Sequence, residues 1–211
     1  MDRFQKTPTK PFQVQDDEVY MPAEDTFLLL KAAHEEARPD DNAIEIGCGR
    51  ALISQALAPR VKSLLCTDIN PYAVQAAKKA GIEVIRADLF AGIRADFDLI
   101  LFNPPYLPTT DDERTGGWID HALDGGETGR ETIDRFLEDL GAHLSPDGRA
   151  LLLVSTLTGL KEVKEKATAE GLNVQEVTSG RCFFEQLHVL RLEVAHSINR
   201  RSSGLKRSMP I

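Results

Sequence analysis

No apolar run among the 211 residues approaches the roughly 20 that a helix needs to span a bilayer. No signal-peptide core is visible either, because Asp2, Arg3, Lys6 and Lys10 break up the N-terminus. A soluble, cytoplasmic protein is the expectation. Cysteine is scarce: Cys48, Cys66 and Cys182 lie far apart and form no Cys-x-x-Cys pair, which argues against a metal site within the chain. Cys48 in a glycine loop and Cys66 in an apolar run read as buried thiols of a reducing compartment. Positive charge is short as well. The 25 Lys and Arg face 33 Asp and Glu, a net charge of -8, which disfavours a large phosphate-binding surface. Only the segment after His196 is basic, with Arg200, Arg201, Lys206 and Arg207. No Ser-His-Asp or Cys-His arrangement for nucleophilic catalysis is evident.

What is present is an alternation of strand and helix signals. The length suits one α/β domain with a full core. Residues 1–17, punctuated by Pro8 and Pro11, read as a flexible arm, 18–195 as the domain, and 196–211 as a basic flexible tail. A helix is expected over 22–37, where Glu24 and Asp25 suit the positive N-terminal end and Phe27, Leu28, Leu30 and Ala33 build an apolar face. Strands are expected at 43–46, 63–67, 83–85, 97–102 and 150–154. Helices are expected at 51–57, 72–79, 131–143 and 159–170. Residues 146–148 read as a turn, and the last strands, 173–177 and 187–193, as joined by a turn at Ser179-Gly180. The pattern predicts a Rossmann-like, mostly parallel seven-stranded sheet with helices on both faces and an antiparallel edge strand. Ligands of such sheets sit beyond the carboxyl ends of the strands.

The motifs gather at those ends. Glu45-Ile46-Gly47-Cys48-Gly49 closes the first strand, and glycine there lets backbone pass close to a bound nucleoside. The turn alone is a weak signal, since position 52 is Leu rather than the third glycine of many dinucleotide binders. Asp68, ending the second strand, can accept from both ribose hydroxyls, which also fits a nicotinamide cofactor; a helix-capping role is the bland alternative. Asp88, after the third strand, can accept from an adenine amino group while the Leu89 N–H donates to a ring nitrogen. Three acids ending three successive strands suit a cationic sulfonium cofactor better than a pyrophosphate, which is held by backbone N–H groups.

The fourth strand runs into Asn103-Pro104-Pro105-Tyr106. Paired prolines remove donors and stiffen the loop. The Asn103 side-chain oxygen and the Pro104 carbonyl then form two rigid acceptors matched to a planar NH2 group, and Tyr106 can pack on its flat face. This loop is similar to that of methyltransferases acting on glutamine, adenine or cytosine. More narrowly, the chain resembles the HemK-like class-1 release-factor glutamine methyltransferases. The resemblance rests on 19–30, on Thr67-Asp68-Ile69-Asn70-Pro71, on Phe102 with the Asn-Pro-Pro-Tyr loop, on Gly125-Gly126-Glu127-Thr128-Gly129-Arg130 with Asp134-Arg135-Phe136, and on Leu187-His188-Val189-Leu190-Arg191.

That resemblance implies S-adenosyl-L-methionine as cofactor, with contacts at Thr26, Glu45, Gly47, Asp68, Asp88, Leu89 and Asn103. Thr26 and Glu45 would face its methionine end. It implies methylation of the Gly-Gly-Gln glutamine of a class-1 release factor, with an adenine-amino or lysine methyltransferase as alternatives. Little sequence precedes the first strand, which resembles the short archaeal and eukaryotic branch. That branch implies a heterodimer with a small zinc-binding activator, and the third strand, at an open sheet edge, is where it is expected to pair, along residues 82–85. Ala51 departs from the family, which often carries a third glycine there. The acidic loop 109–118 reads as a lid.

Overall fold

A computed structural model of the protein describes residues 18–110, 112 and 116–195. The readings of 1–17 and 196–211 therefore lie outside the described residues. In chain order the elements are α1 (Glu24–Glu36), β1 (Asn42–Ile46), α2 (Leu52–Leu57), β2 (Ser63–Asp68), α3 (Pro71–Lys79), β3 (Val84–Arg86), β4 (Phe97–Phe102), α4 (Asp120–Leu123), α5 (Glu131–Leu140), β5 (Leu144–Ser155), α6 (Leu160–Ala169), β6 (Leu172–Cys182) and β7 (Glu185–Val194). The strands form one seven-stranded sheet in the order β3-β2-β1-β4-β5-β7-β6. Strands β1 to β5 pair in parallel, while β7 runs antiparallel to both β5 and β6. The antiparallel strand thus sits one place in from the edge, and β6 forms the edge itself.

Alternation along each strand feeds two cores. Ile44, Ile46, Ile100, Phe102 and Leu152 face α5 and α6. Ala43, Leu99, Leu101, Leu151 and Leu153 face α1 and α2. On α5, Ile133, Phe136, Leu137 and Leu140 recur at helical spacing and are all buried. Each such side chain contributes about 1.5–3 kcal/mol of burial.

Two boundaries differ from the sequence reading. The segment Pro146-Asp147-Gly148 is no free turn but lies within β5, where the register against β4 jumps from Phe97↔Leu144 to Leu99↔Arg149. Its extra residues bulge without ending the ladder. Ser179 and Gly180 are paired strand residues, opposite His188 and Leu187. The turn falls instead at Phe183-Phe184, with Phe183 at φ 42°. Gly180 lies beside Leu28 of α1, which a Cβ there would meet at an ordinary contact distance of 3.6 Å.

At the amino ends of the strands one buried cation ties the layers together. Arg149 of β5 is fully buried. Its guanidinium donates to both Asp41 oxygens at 3.0 and 2.7 Å, to the Asp98 carbonyl at 2.7 Å, and to the Glu36 carbonyl at the end of α1. The far end of α1 is fixed by this contact, and its near end reaches the site below. Arg149→Met strands the Asp41 carboxylate in the interior and should lower unfolding free energy by about 3–5 kcal/mol, measured by urea titration. A loss under about 1 kcal/mol would show that the layers do not depend on this pair.

Candidate active site

Turns after β1, β2, β3 and β4 open onto one cavity of about 710 Å³ at the carboxyl edge of the sheet. Thr26, Glu45, Gly47, Gly49, Asp68, Asp88, Leu89, Asn103, Pro104, Pro105 and Tyr106 all line it. The structure therefore brings together every site residue expected from the sequence.

Gly47 and Gly49 adopt φ of 65° and 51°, a region that L-residues disfavour. Ala51 takes φ 56° as well, so the third turn position keeps the glycine conformation without the glycine. The cost of about 1–2 kcal/mol is partly offset by burial of its methyl group, about 0.8 kcal/mol. Asp68 is buried and accepts from the Gly49 N–H and the Asn70 N–H, both at 2.8 Å. Asn70, not Asp68, caps α3, its side chain accepting from the Tyr72 N–H at 2.9 Å. Burial pushes the Asp68 carboxyl above its ordinary range against those hydrogen bonds. Glu45 is buried beside it. Desolvation raises its pKa from 4.5 to about 8, Ser54 opposes the rise through Oγ and N–H, and the nearby Asp68 charge adds to it. Two buried acids with raised affinity for protons suit a cationic ligand.

Asp88 stands at the more open side, where the Arg135 guanidinium meets it at 2.7 Å. A single carboxylate oxygen takes that bond, and the other remains available to an amino group. The segment around α4 closes the same side. Trp118 donates its N–H to the Glu18 carboxylate at 2.6 Å, and the Arg86 guanidinium lies 5.3 Å from its ring centroid. Arg86 also donates to the Ile69 carbonyl at 3.0 Å.

The Asn103 amide is held by a residue that the sequence reading used only as a helix-end charge. Asn103 Nδ2 donates to the Asp25 carboxylate at 3.0 Å. Asp25 is itself buried, accepting from the Tyr20 hydroxyl at 3.0 and 3.1 Å and from the Thr26 N–H at 2.6 Å. Because the nitrogen faces a carboxylate, the amide cannot rotate end for end without opposing oxygen to oxygen. Asn103 Oδ1 is buried and takes no hydrogen bond among the described residues. An unpaired buried acceptor costs about 1–3 kcal/mol, which a substrate N–H would relieve. No sequence signal pairs Asp25 with Asn103, since they are 78 residues apart.

The Gly-Gly-Glu-Thr-Gly-Arg stretch explains itself here. Leu107 donates to the Leu123 carbonyl at 3.1 Å and Thr109 to the Gly126 carbonyl at 3.0 Å, laying this stretch under the Asn-Pro-Pro-Tyr loop. A Cβ on Gly129 would stand 2.6 Å from the Tyr106 carbonyl, so the approach of the two backbones requires glycine.

The strand order and the acid-lined cavity beyond the strand ends define an S-adenosylmethionine-dependent methyltransferase. Residues 24–118 match the family described as methyltransferase small domain. Over 82% of this chain and 90% of its own length, MJ0928 of Methanocaldococcus jannaschii, provisionally named a protein N5-glutamine methyltransferase, is 42% identical. The human methyltransferase HEMK2 is 34% identical over 82% of this chain and 89% of its own. Among solved structures, the E. cuniculi Mtq2–Trm112 complex superposes with a TM-score of 0.72 at 28% identity, covering 84% of this chain and 99% of that one. The chain belongs to the HemK/Mtq2-like family of protein N5-glutamine methyltransferases.

Two outcomes follow from the geometry. Between pH 4.5 and about 8 the folded chain holds the Glu45 proton and the unfolded chain does not, so this group lowers stability as pH rises through that window. A sulfonium beside Glu45 favours the ionised form, so S-adenosylmethionine binding should release part of a proton near pH 7, and its affinity should climb towards pH 8. Calorimetry in buffers of different ionisation heat should show more release than for the uncharged sulfide S-adenosylhomocysteine; equal release for both would place the charge elsewhere. Asp25→Asn should lower kcat by roughly 10–100-fold, the worth of a charge-assisted hydrogen bond, while S-adenosylhomocysteine affinity stays within about threefold. An unchanged kcat would show that Asn103 needs no anchor.

Proposed function

We propose that this chain methylates the side-chain nitrogen of the glutamine in the Gly-Gly-Gln motif of a class-1 release factor. The observation that carries the reading is the unpaired Asn103 Oδ1, a fixed acceptor at the cavity beside two prolines. The E. cuniculi relative is described as responsible for methylation of the eRF1 termination factor, which supports the same substrate here.

In this reading Asp68 takes the ribose, Asp88 and the Leu89 N–H the adenine, Thr26 and Glu45 the methionine end, and Gly47 and Gly49 leave room for the backbone approach. When bound, the cofactor supplies a methyl group on a positively charged sulfur that departs as a neutral thioether. The chain's own part is orientation. An amide nitrogen is a poor nucleophile because its lone pair is delocalised into the carbonyl. Asn103 Oδ1 and the Pro104 carbonyl hold its two N–H bonds, Pro105 stiffens the loop, and Tyr106 packs on the flat amide. Positioning of this kind can contribute as much as about 7–11 kcal/mol. The hydrogen bonds strengthen as the nitrogen becomes positive, and its surplus proton then passes to water. Asn103, a neutral amide, accepts hydrogen bonds but does not act as a base.

The proposed partner is a small zinc-binding activator paired along β3; that the E. cuniculi relative forms a complex with Trm112 supports a second chain here. Among the described residues β3 pairs on one side only, with β2. The Glu83 carbonyl and the Ala87 N–H both bond to β2, so by strand alternation the Val84 N–H points to the open edge. Ile85, exposed at 45%, offers apolar surface there.

Incubation with labelled cofactor and a Gly-Gly-Gln release factor, followed by peptide mass spectrometry, should find one methyl on that glutamine. Label on lysine, or on nucleic acid with steep salt dependence, would transfer the assignment to the corresponding alternative. Amide exchange with the activator should protect 84–86, and Val84→Pro should abolish the complex. Unchanged exchange across 84–86 would place the activator on another surface.

A further inference from the structure

Six large apolar side chains are exposed in the described chain, and five of them, Met21, Phe27, Leu157, Phe183 and Phe184, belong to segments around one side of the cavity mouth. The segments are tied together locally. Glu185, directly after Phe184, lines the cavity along with Tyr20 and Pro22, which flank Met21. Its carboxylate accepts from the Ser155 hydroxyl, and Gln186 donates its N–H to Thr156 Oγ1 at 3.0 Å, next to Leu157. Across the sheet edge, Gly180 of β6 packs against Leu28, the neighbour of Phe27. The sixth exposed side chain, Ile85, lies on β3 at the opposite edge.

The hairpin tip is the least expected part. Cys182 ends β6 and Glu185 begins β7, so the turn has two residues. A positive φ at the first of them favours glycine, yet Phe183 occupies it at φ 42°. Phe183 and Phe184 are 90% and 101% exposed. Local backbone preference and water both disfavour these residues here, a combination found where strain serves recognition.

We infer that this apolar rim is the docking surface for the body of the protein substrate, next to the loop that carries its target glutamine. The inference rests on the glutamine reading above. A glutamine side chain is short, so when its amide reaches Asn103 the backbone that bears it crosses the cavity mouth. Phe183 and Phe184 directly precede Glu185 of the cavity lining, which puts them where the surface beside that loop can rest. The occupant is a folded protein with exposed apolar side chains next to a protruding loop, and aromatic anchors at such a contact contribute most of its affinity.

The test uses Phe183→Gly together with Phe184→Ser, a pair that relaxes the turn and leaves the cavity lining untouched. Enzyme with its activator is assayed on an intact Gly-Gly-Gln release factor and for binding of S-adenosylhomocysteine. The expected result is a KM for the release factor raised at least tenfold, with kcat at saturation, cofactor affinity and melting temperature essentially unchanged. A KM within twofold of the unaltered enzyme would overturn the docking surface and leave the glutamine reading intact. A release factor that even the unaltered enzyme fails to methylate would overturn the substrate reading, and the docking surface with it.

Discussion

Parallel strands that end side by side deliver their last side chains to one place, and here β1 and β2 deliver Glu45 and Asp68. Both are buried, which raises the cost of charge on each, and the Asp68 charge adds to that cost at Glu45. Much of the nearby structure answers that strain. The Gly49 and Asn70 amides converge on Asp68, and Ser54 turns its hydroxyl and N–H to Glu45. The left-handed turn through Gly47, Gly49 and Ala51 is what brings the Gly49 amide into range. The acids are only partly compensated from within, and a cation is the natural complement.

The second half of the site is built from rigidity rather than charge. Asn103 has one useful orientation because a buried carboxylate holds its nitrogen. The loop that carries it rests on a glycine-bearing stretch with no room for a Cβ at Gly129. Arg149 contributes from the other end of the sheet by fixing the end of α1, the helix whose first turn supplies Asp25 and Thr26. The helix that supplies them is thus held at its far end by a buried cation at the opposite side of the fold.

The alternation of short apolar strands with amphipathic helices was legible because strand period and helix period are local properties. The acids at 45, 68 and 88 and the loop at 103–106 were legible for the same reason: each follows directly on its strand. Longer-range facts were not. Asp25 is read from sequence as a charge suited to a helix start, and only the folded chain shows it gripping Asn103. The Ser179-Gly180 pair carries turn composition, but in the structure β7 continues the ladder past it, with His188 and Leu187 opposite the two residues. Two phenylalanines carry no turn signal at all. The four-residue α4, far too short for a periodic pattern, escaped notice.

Arg86 belongs to two neighbourhoods at once. Its backbone lies on β3, the last strand of the sheet among the described residues, while its guanidinium reaches back to the Ile69 carbonyl and the face of Trp118 at the cavity. A chain that settles against β3 limits how far Arg86 can move, and with it the ring it holds. Energetic coupling between two sites is reciprocal. A ligand that drew Trp118 inward and a chain that paired along β3 would then each change the other's affinity by the same factor.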